Sequence, residues 1–255
     1  MDDLIKNMAR INGGTFVMGS PADEPERFDD EGPQHQAAAD GFYMGKFLVT
    51  QEEYQTVMET NPSRFNGDKR CFYFNPNDSL PVENVSWYNA VEYCNKLSLM
   101  AGLAPAYTVN GADVTWNREA GGFRLPSEAE WEYACRAGTT TAYNTGARIS
   151  DDTGWYKSNS GNKTHPVGQK PANAWGLYDM HGNVWEWCWD WCSPYANAAL
   201  SDDQDDSWGT GRILRGGSWS AYAQYLRSAY RRWNPPTYRS GSFGFRLVMN
   251  SIPNS

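Results

Sequence analysis

FRLPSEAEWEYACRAG, residues 123–138, carries the fullest helix signal in the chain. Ser127 and Glu130 form a capping box, in which the serine hydroxyl accepts from the third backbone N–H and the glutamate reaches back to the cap. Trp131, Ala134 and Cys135 then share one packable stripe, and Gly138 supplies a stop. Upstream the same grammar occurs twice more. Thr50 caps a short helix through Glu52, Tyr54 and Val57 that ends toward Asn61-Pro62. Ser86 caps another, with Trp87, Ala90, Val91, Cys94 and Ser98 along one face. Residues 12–19, NGGTFVMG, and the run from Gly41 to Thr50 have strand character, with an acidic, turn-prone loop from Pro21 to Pro33 between them. Downstream of Gly138 the periodicity vanishes. Roughly a hundred residues rich in Trp, Gly, Asn and Asp hold only short apolar runs, and so much irregular chain points to a functional surface or to bound ions that pin loops.

The chain has 255 residues, enough to bury a sizeable core. No stretch reads as a convincing linker, so residues 1–255 are expected to form a single domain. Twelve tryptophans and fifteen tyrosines supply large rings whose polar tips need partners or water. A net charge of −8 argues against general nucleic-acid binding, because a polyanion needs a cationic footprint. No segment approaches the roughly 20 apolar residues of a membrane span, and Met1-Asp2-Asp3-Leu4 lacks the regions of a signal peptide. Cys71, Cys94, Cys135, Cys188 and Cys192 are odd in number and widely spread, unlike a disulfide framework.

Catalytic constellations are scarce. His35, His165 and His181 are the only histidines, and none lies beside a nucleophile elbow. Gly19-Ser20 lacks the Gly-Lys of a phosphate loop. Cys188 and Cys192 with His181 fall short of the four ligands of a closed zinc site, and read as buried small thiols. In Asp179-Met-His-Gly182-Asn183-Val184-Trp185-Glu186, two carboxylates flank a Gly-Asn turn. Hard oxygen donors of this kind suit calcium, and a capped turn with a buried glutamate accounts for them equally well.

The ordered series GGTFVMGS (13–20), PVENVSWYNAVEYCNKLS (81–98), FRLPSEAEWEYACRAG, GLYDMHGNVWEW (176–187), LRGGSW (214–219) and GFRLV (244–248), with the acidic loop around Asp23-Glu24 and Glu31, resembles the formylglycine-generating-enzyme, or sulfatase-modifying-factor, family over nearly the whole chain. The resemblance implies an α+β, C-type lectin-like fold, loop-rich, with few short strands and about three helices. Active members oxidise a substrate cysteine with a copper-binding cysteine pair, and that pair aligns with Ala221 and Leu226. A methyl or isobutyl group has no lone pair for a metal, so the resemblance implies no copper and no formylglycine synthesis. A second branch, the sulfoxide synthases, places iron in an additional domain absent from this sequence. The resemblance also implies a structural calcium site of Asp179, Gly182, Val184 and Glu186.

The tail RGGSWSAYAQYLRSAYRRWNPPTYRSGSFGFRLV, residues 215–248, contains no Cys, His, Asp or Glu. It resembles a third branch, the spirochaete-type variable proteins of diversity-generating retroelements, whose C-terminal surface is rewritten by adenine-directed mutagenesis. Arg215 to Trp219, Leu226 to Ala229, Arg231, Pro235, Arg239 and Phe243 to Val248 read as fixed framework. Ser220, Ala221, Tyr222, Tyr225, Tyr230, Arg232, Trp233, Asn234, Thr237, Tyr238, Ser240, Gly241 and Ser242 read as interchangeable. Most of these are reachable from an Asn codon through its two adenines; Trp233 is not. Rings with Ser, Gly and Asn make a paratope-like composition. The expected function is non-enzymatic recognition of a protein or cell-surface ligand, from the cell surface or outside the cell. A family enzyme or accessory protein with cysteine-independent chemistry is the alternative, and a carbohydrate lectin follows only from fold analogy.

Overall fold

The computed structural model describes residues 6–66, 79–195 and 210–250. All three helices begin where a side chain caps them. Thr50 accepts from the Glu53 N–H ahead of α1 (Gln51–Met58), Ser86 from Asn89 ahead of α2 (Trp87–Met100), and Ser127 from Glu130 ahead of α3 (Glu128–Arg136). Their ends differ from expectation. α1 stops before Asn61-Pro62, because Glu59 turns left-handed with φ 60°, and α3 stops on Ala137 with φ 46°, one residue ahead of Gly138.

Short strands complete the frame. β1 (Met8–Ile11) pairs antiparallel with β4 (Phe42–Gly45), and β4 pairs on its other edge with β11 (Val248–Met249), so the two ends of the chain share one sheet. β2 (Gly14–Met18) and β3 (His35–Ala39) form a second antiparallel pair, as do β5 (Tyr107–Asn110) and β6 (Asp113–Trp116). The sheet that carries the tail has four strands in the order β10 (Phe243–Gly244), β7 (Trp185–Trp191), β8 (Arg212–Arg215), β9 (Arg232–Asn234). Beyond Gly138 the strands other than β7 have two to four residues, too few to show an alternating pattern, and β7 begins with four buried residues in a row, which is why the C-terminal half reads as aperiodic.

α3 packs against β2, β3, β7 and β8, and thereby sits under the tail. Trp87 on α2, Trp131 on α3 and Trp187 on β7 are fully buried, and each indole N–H finds an acceptor. Trp87 Nε1 donates to the Cys188 carbonyl at 2.9 Å, Trp187 Nε1 to the Val85 carbonyl at 3.0 Å and Trp131 Nε1 to Glu186 Oε2 at 2.9 Å. Each bond also fixes ring orientation, so the packing is specific rather than merely apolar. Cys94, Cys135 and Cys188 are buried free thiols and Cys192 is half-buried; Cys71 lies outside the described residues. No helix among the described residues is long and apolar enough to cross a membrane.

Candidate functional site

The tail is fastened down by arginines. Arg215 leaves β8 fully buried, donating to Glu132 on α3 and to the Ala229 carbonyl at 2.8 Å. The chain then turns through Gly216 and Gly217, with φ of 91° and 80°, a conformation that side chains rarely adopt. A Cβ on Gly217 would lie 2.6 Å from the Leu226 side chain, so this close approach requires glycine. Arg227 donates from Nη1 to Glu24 Oε1 at 2.7 Å and to Glu31 Oε2 at 2.6 Å. Arg231 holds Glu128 with two bonds, 2.6 Å from Nε and 2.8 Å from Nη2. Arg246 holds Glu186 the same way, at 2.6 and 2.8 Å. Burial disfavours a charged guanidinium, but the facing carboxylates outweigh it and hold Arg215, Arg227 and Arg231 protonated above the usual arginine range. Glu132 is likewise buried, and Arg136 and Arg215 overcome that penalty to hold its carboxyl below the usual range. Much of the tail's positive charge therefore faces inward, onto carboxylates of α3, of β7 and of the acidic loop of residues 21–33.

Between these anchors the side chains point outward. Tyr222, Trp233 and Tyr238 are 58%, 48% and 51% exposed, and Arg232 and Thr237 are exposed with them. Ser220, Tyr225, Tyr230, Asn234, Ser240 and Gly241 are half-buried. Two expected face residues are not on the face. Ala221, whose N–H donates to the Ser218 carbonyl, and Ser242, whose carbonyl accepts from the Trp185 N–H, are buried by these links to the frame. Conversely Pro235 and Arg239, read as framework, are exposed. Leu226, on the same stretch, is fully buried.

The face also includes residues that sequence reasoning missed. Phe28 of the acidic loop stacks on Tyr225 at 5.9 Å and meets Tyr230 edge-on at 5.2 Å. Lys157 lies over the Tyr222 ring at 5.7 Å, and Arg232 over Trp185 and Phe243, each at 5.5 Å. Phe65 meets the Trp219 ring edge-on at 5.3 Å. The rings are thus braced against one another and carry cations above them. The one sequence signal for Phe28 was a lone aromatic inside an acidic loop, and for Phe65 one inside a turn.

Beneath the face, Asp179, Gly182 and Val184 are buried on the turn that leads into β7, and Glu186 is buried on β7 itself. Glu186 Oε2 accepts from Trp131 and Arg246, and Oε1 from Arg246. Asp179 Oδ2 accepts from the Gly168 N–H at 2.8 Å, while Oδ1 is buried without a hydrogen-bond partner among the described residues. Burial pushes the Asp179 carboxyl up to about 6 despite the pull of that bond and of Arg246. Arg246 already supplies the positive charge that burying Glu186 requires, so a divalent cation would face a guanidinium across the same carboxylate. The donor set does not fit a calcium cradle centred on Glu186.

His181 on this turn is a strut. Its Nδ1 donates to the Leu226 carbonyl at 2.7 Å and its Nε2 accepts from the Asn144 N–H at 3.0 Å, which defines the neutral tautomer. Burial pushes its pKa down to about 4. Cys135 Sγ lies 3.7 Å from Nε2, and burial pushes that thiol up to about 12, far from an activated thiolate.

Over residues 2–251 the chain matches the family described as Sulfatase-modifying factor enzyme 1-like domain. Chaperone protein LppX of Paenibacillus barcinonensis is 39% identical over 223 residues, covering 74% of this chain and 73% of that protein. The formylglycine-generating enzyme of Streptomyces coelicolor is 30% identical, covering 95% of this chain and 89% of that enzyme. The solved structure of Treponema denticola variable protein 1 superposes with a TM-score of 0.81 at 34% identity, covering 96% of this chain and 95% of that one. The loop-rich α+β frame is accordingly the C-type lectin-like architecture implied by the sequence motifs. With the family's ordered motifs folded as one set around α3 and the tail, the chain belongs to the sulfatase-modifying-factor, or formylglycine-generating-enzyme-like, family.

Proposed function

We propose that this chain is a non-enzymatic ligand-binding protein whose C-terminal region, residues 215–248, is diversified by a retroelement and forms the recognition site. The observation that carries this reading is the split within the tail. Arg215, Arg227, Arg231 and Arg246 are buried and ion-paired, while Tyr222, Arg232, Trp233, Thr237 and Tyr238 are exposed on the stretches between them. Exposed rings and guanidiniums are the groups that dominate interface energetics, and exposed positions tolerate substitution within about 0.5 kcal/mol. Likeness to Treponema denticola variable protein 1 supports the same reading. The ligand is a protein or another cell-surface macromolecule, met at the cell surface or outside the cell, and residues 1–255 act as one domain. The genomic test is direct: a near-identical, adenine-rich copy of the DNA encoding residues 215–248 is expected beside a reverse transcriptase gene. Finding neither would overturn diversification.

A second reading, a family enzyme or accessory protein with cysteine-independent chemistry, is favoured by the likeness to the Streptomyces coelicolor enzyme. The four described thiols speak against a cysteine route. Burial pushes Cys94, Cys135, Cys188 and Cys192 all above the usual thiol range. Oxidation of a cysteine-containing peptide, lost on altering the tail, would establish this alternative.

A further inference from the structure

Some cations of the face stand without an acidic partner. Lys157, Arg232 and Arg239 are exposed, and none of them meets a carboxylate within salt-bridge distance among the described residues. The acids beneath the tail are already engaged, Glu24 and Glu31 by Arg227, Glu128 by Arg231, Glu132 by Arg215 and Glu186 by Arg246. Residues 215–248 contain no Asp or Glu to offset the rest. A chain of net charge −8 thus displays unmatched positive charge on its recognition surface.

These cations are set among rings. Lys157 Nζ lies 5.7 Å from the centre of the Tyr222 ring. Arg232, on β9, lies 5.5 Å from both Trp185 and Phe243. Those two rings are buried frame, so they support one side of an exposed guanidinium and leave the other to solvent. A guanidinium stacked on a ring keeps its N–H fork for a carboxylate. Arg239 follows Tyr238, whose ring packs 5.8 Å from Phe243. Acid at the margins sits elsewhere. Asp29 and Asp30 are exposed beside Phe28, and Asp151 Oδ1 accepts from the Tyr156 hydroxyl at 3.4 Å. Of the three cations, only Arg232 belongs to the interchangeable set. Lys157 lies outside the tail and Arg239 reads as framework, so diversification would leave both in place.

We propose that the face binds an acidic protein segment, whose Asp and Glu side chains pair with Lys157, Arg232 and Arg239 while apolar side chains between them lie on Tyr222, Trp233 and Tyr238. Nucleic acid and sulfated polysaccharide call for a continuous cationic track, and the rest of an acidic chain repels them. Separate carboxylates among apolar groups instead match separate cations among rings. Lys157 and Arg239 give the face a standing preference for acidic partners, and Arg232 with the variable rings selects among them. That the preference serves ligand recognition rests on the function proposed above; the display of unmatched cations does not.

The test follows the full chain by NMR, reading the Trp233 indole N–H, assigned by its loss in Trp233→Phe, and the backbone N–H groups of Tyr222 and Tyr238. A random copolymer of glutamate and tyrosine is the probe, with a lysine–tyrosine copolymer and heparin beside it. The glutamate copolymer is expected to shift all three signals saturably, and the other two polymers to leave them in place. Combining Lys157→Gln, Arg232→Gln and Arg239→Gln is expected to weaken binding of the glutamate copolymer roughly tenfold, the summed effect of three exposed ion pairs. These side chains are exposed and the buried pairs of the frame stay intact, so the fold is kept. No shift with the glutamate copolymer, an equal shift with the lysine copolymer, or undiminished binding in the combined variant overturns the proposal. Shifts with heparin in place of the glutamate copolymer also overturn it, and assign the face to a sulfated polysaccharide. A missing template copy would remove diversification and leave this preference standing, while a silent glutamate copolymer would leave the exposed, rewritable face in place.

Discussion

Arg231 and Arg232 are neighbours in sequence with opposite surroundings. Arg231 is buried, its guanidinium bonded twice to Glu128 and once each to the Asp30 and Ser193 carbonyls. Arg232 is exposed and lies over the Trp185 and Phe243 rings. The tail repeats this contrast along its length, with anchors buried against carboxylates of α3, β7 and the acidic loop and face residues turned to water. The lesson is that a rewritable surface needs its fixed contacts to be strong, directional and independent of the residues between them. Bidentate arginine–carboxylate pairs supply that, because their geometry sets the backbone without help from neighbouring side chains.

The largest effect should come from cutting an anchor. Arg231→Ala takes from the buried Glu128 its two-bond partner, leaving Arg215 Nε at 3.7 Å and the Tyr195 hydroxyl at 3.5 Å, and is expected to cost about 3 kcal/mol in a urea unfolding series. Arg232→Ala, one residue along, should change stability by less than about 0.5 kcal/mol. Equal losses from the two would erase the distinction.

Acid should act on the frame and leave the face alone. His181 has a folded pKa near 4 against about 6.5 unfolded, so the unfolded chain binds its proton first. Stability from this residue is complete above about pH 6.5 and is lost as pH falls toward 4, by up to about 3 kcal/mol. His181→Gln should flatten that part of the curve, and an unchanged acid limb would show that the strut is not what titrates.

Glu83 works in the opposite direction. Its folded value near 7 lies above an unfolded value of about 4.3, so its ionisation increasingly penalises the fold as pH rises between them. Glu83→Gln should therefore gain stability relative to wild type at pH 8 and little at pH 5, by at most about 4 kcal/mol. A gain confined to pH 5 would contradict the burial of that carboxyl.

The smallest effect concerns calcium. Because Arg246 already neutralises Glu186, EDTA is expected to leave the thermal midpoint where it was, and added calcium likewise. A midpoint several degrees lower in EDTA would restore the ion that the family resemblance implies.

The sequence was most legible where signals are local. Thr50, Ser86 and Ser127 announced their helices because a cap and its partner lie three residues apart. The ordered motifs named the family and the fold. The anchors were not legible, since Arg227 reaches Glu24 across 203 positions and no local pattern encodes such a partner. For the same reason the tail's arginines could not be sorted into buried and exposed from composition. Pro235 and Arg239 looked like frame, and Ala221 and Ser242 like face, because residue type reports neither a turn's direction nor what packs behind it. Phe28 and Phe65 were invisible as face residues, being placed there only by the folding of distant loops.

The central claim is that the exposed residues contribute almost nothing to holding the fold. It is tested most directly by changing five of them at once, Tyr222, Arg232, Trp233, Thr237 and Tyr238 all to Ser, and measuring the thermal unfolding midpoint against wild type. A cooperative transition within about 8 °C of the original is predicted from small, nearly additive surface effects. Loss of cooperative unfolding, or a chain that fails to fold, would contradict it.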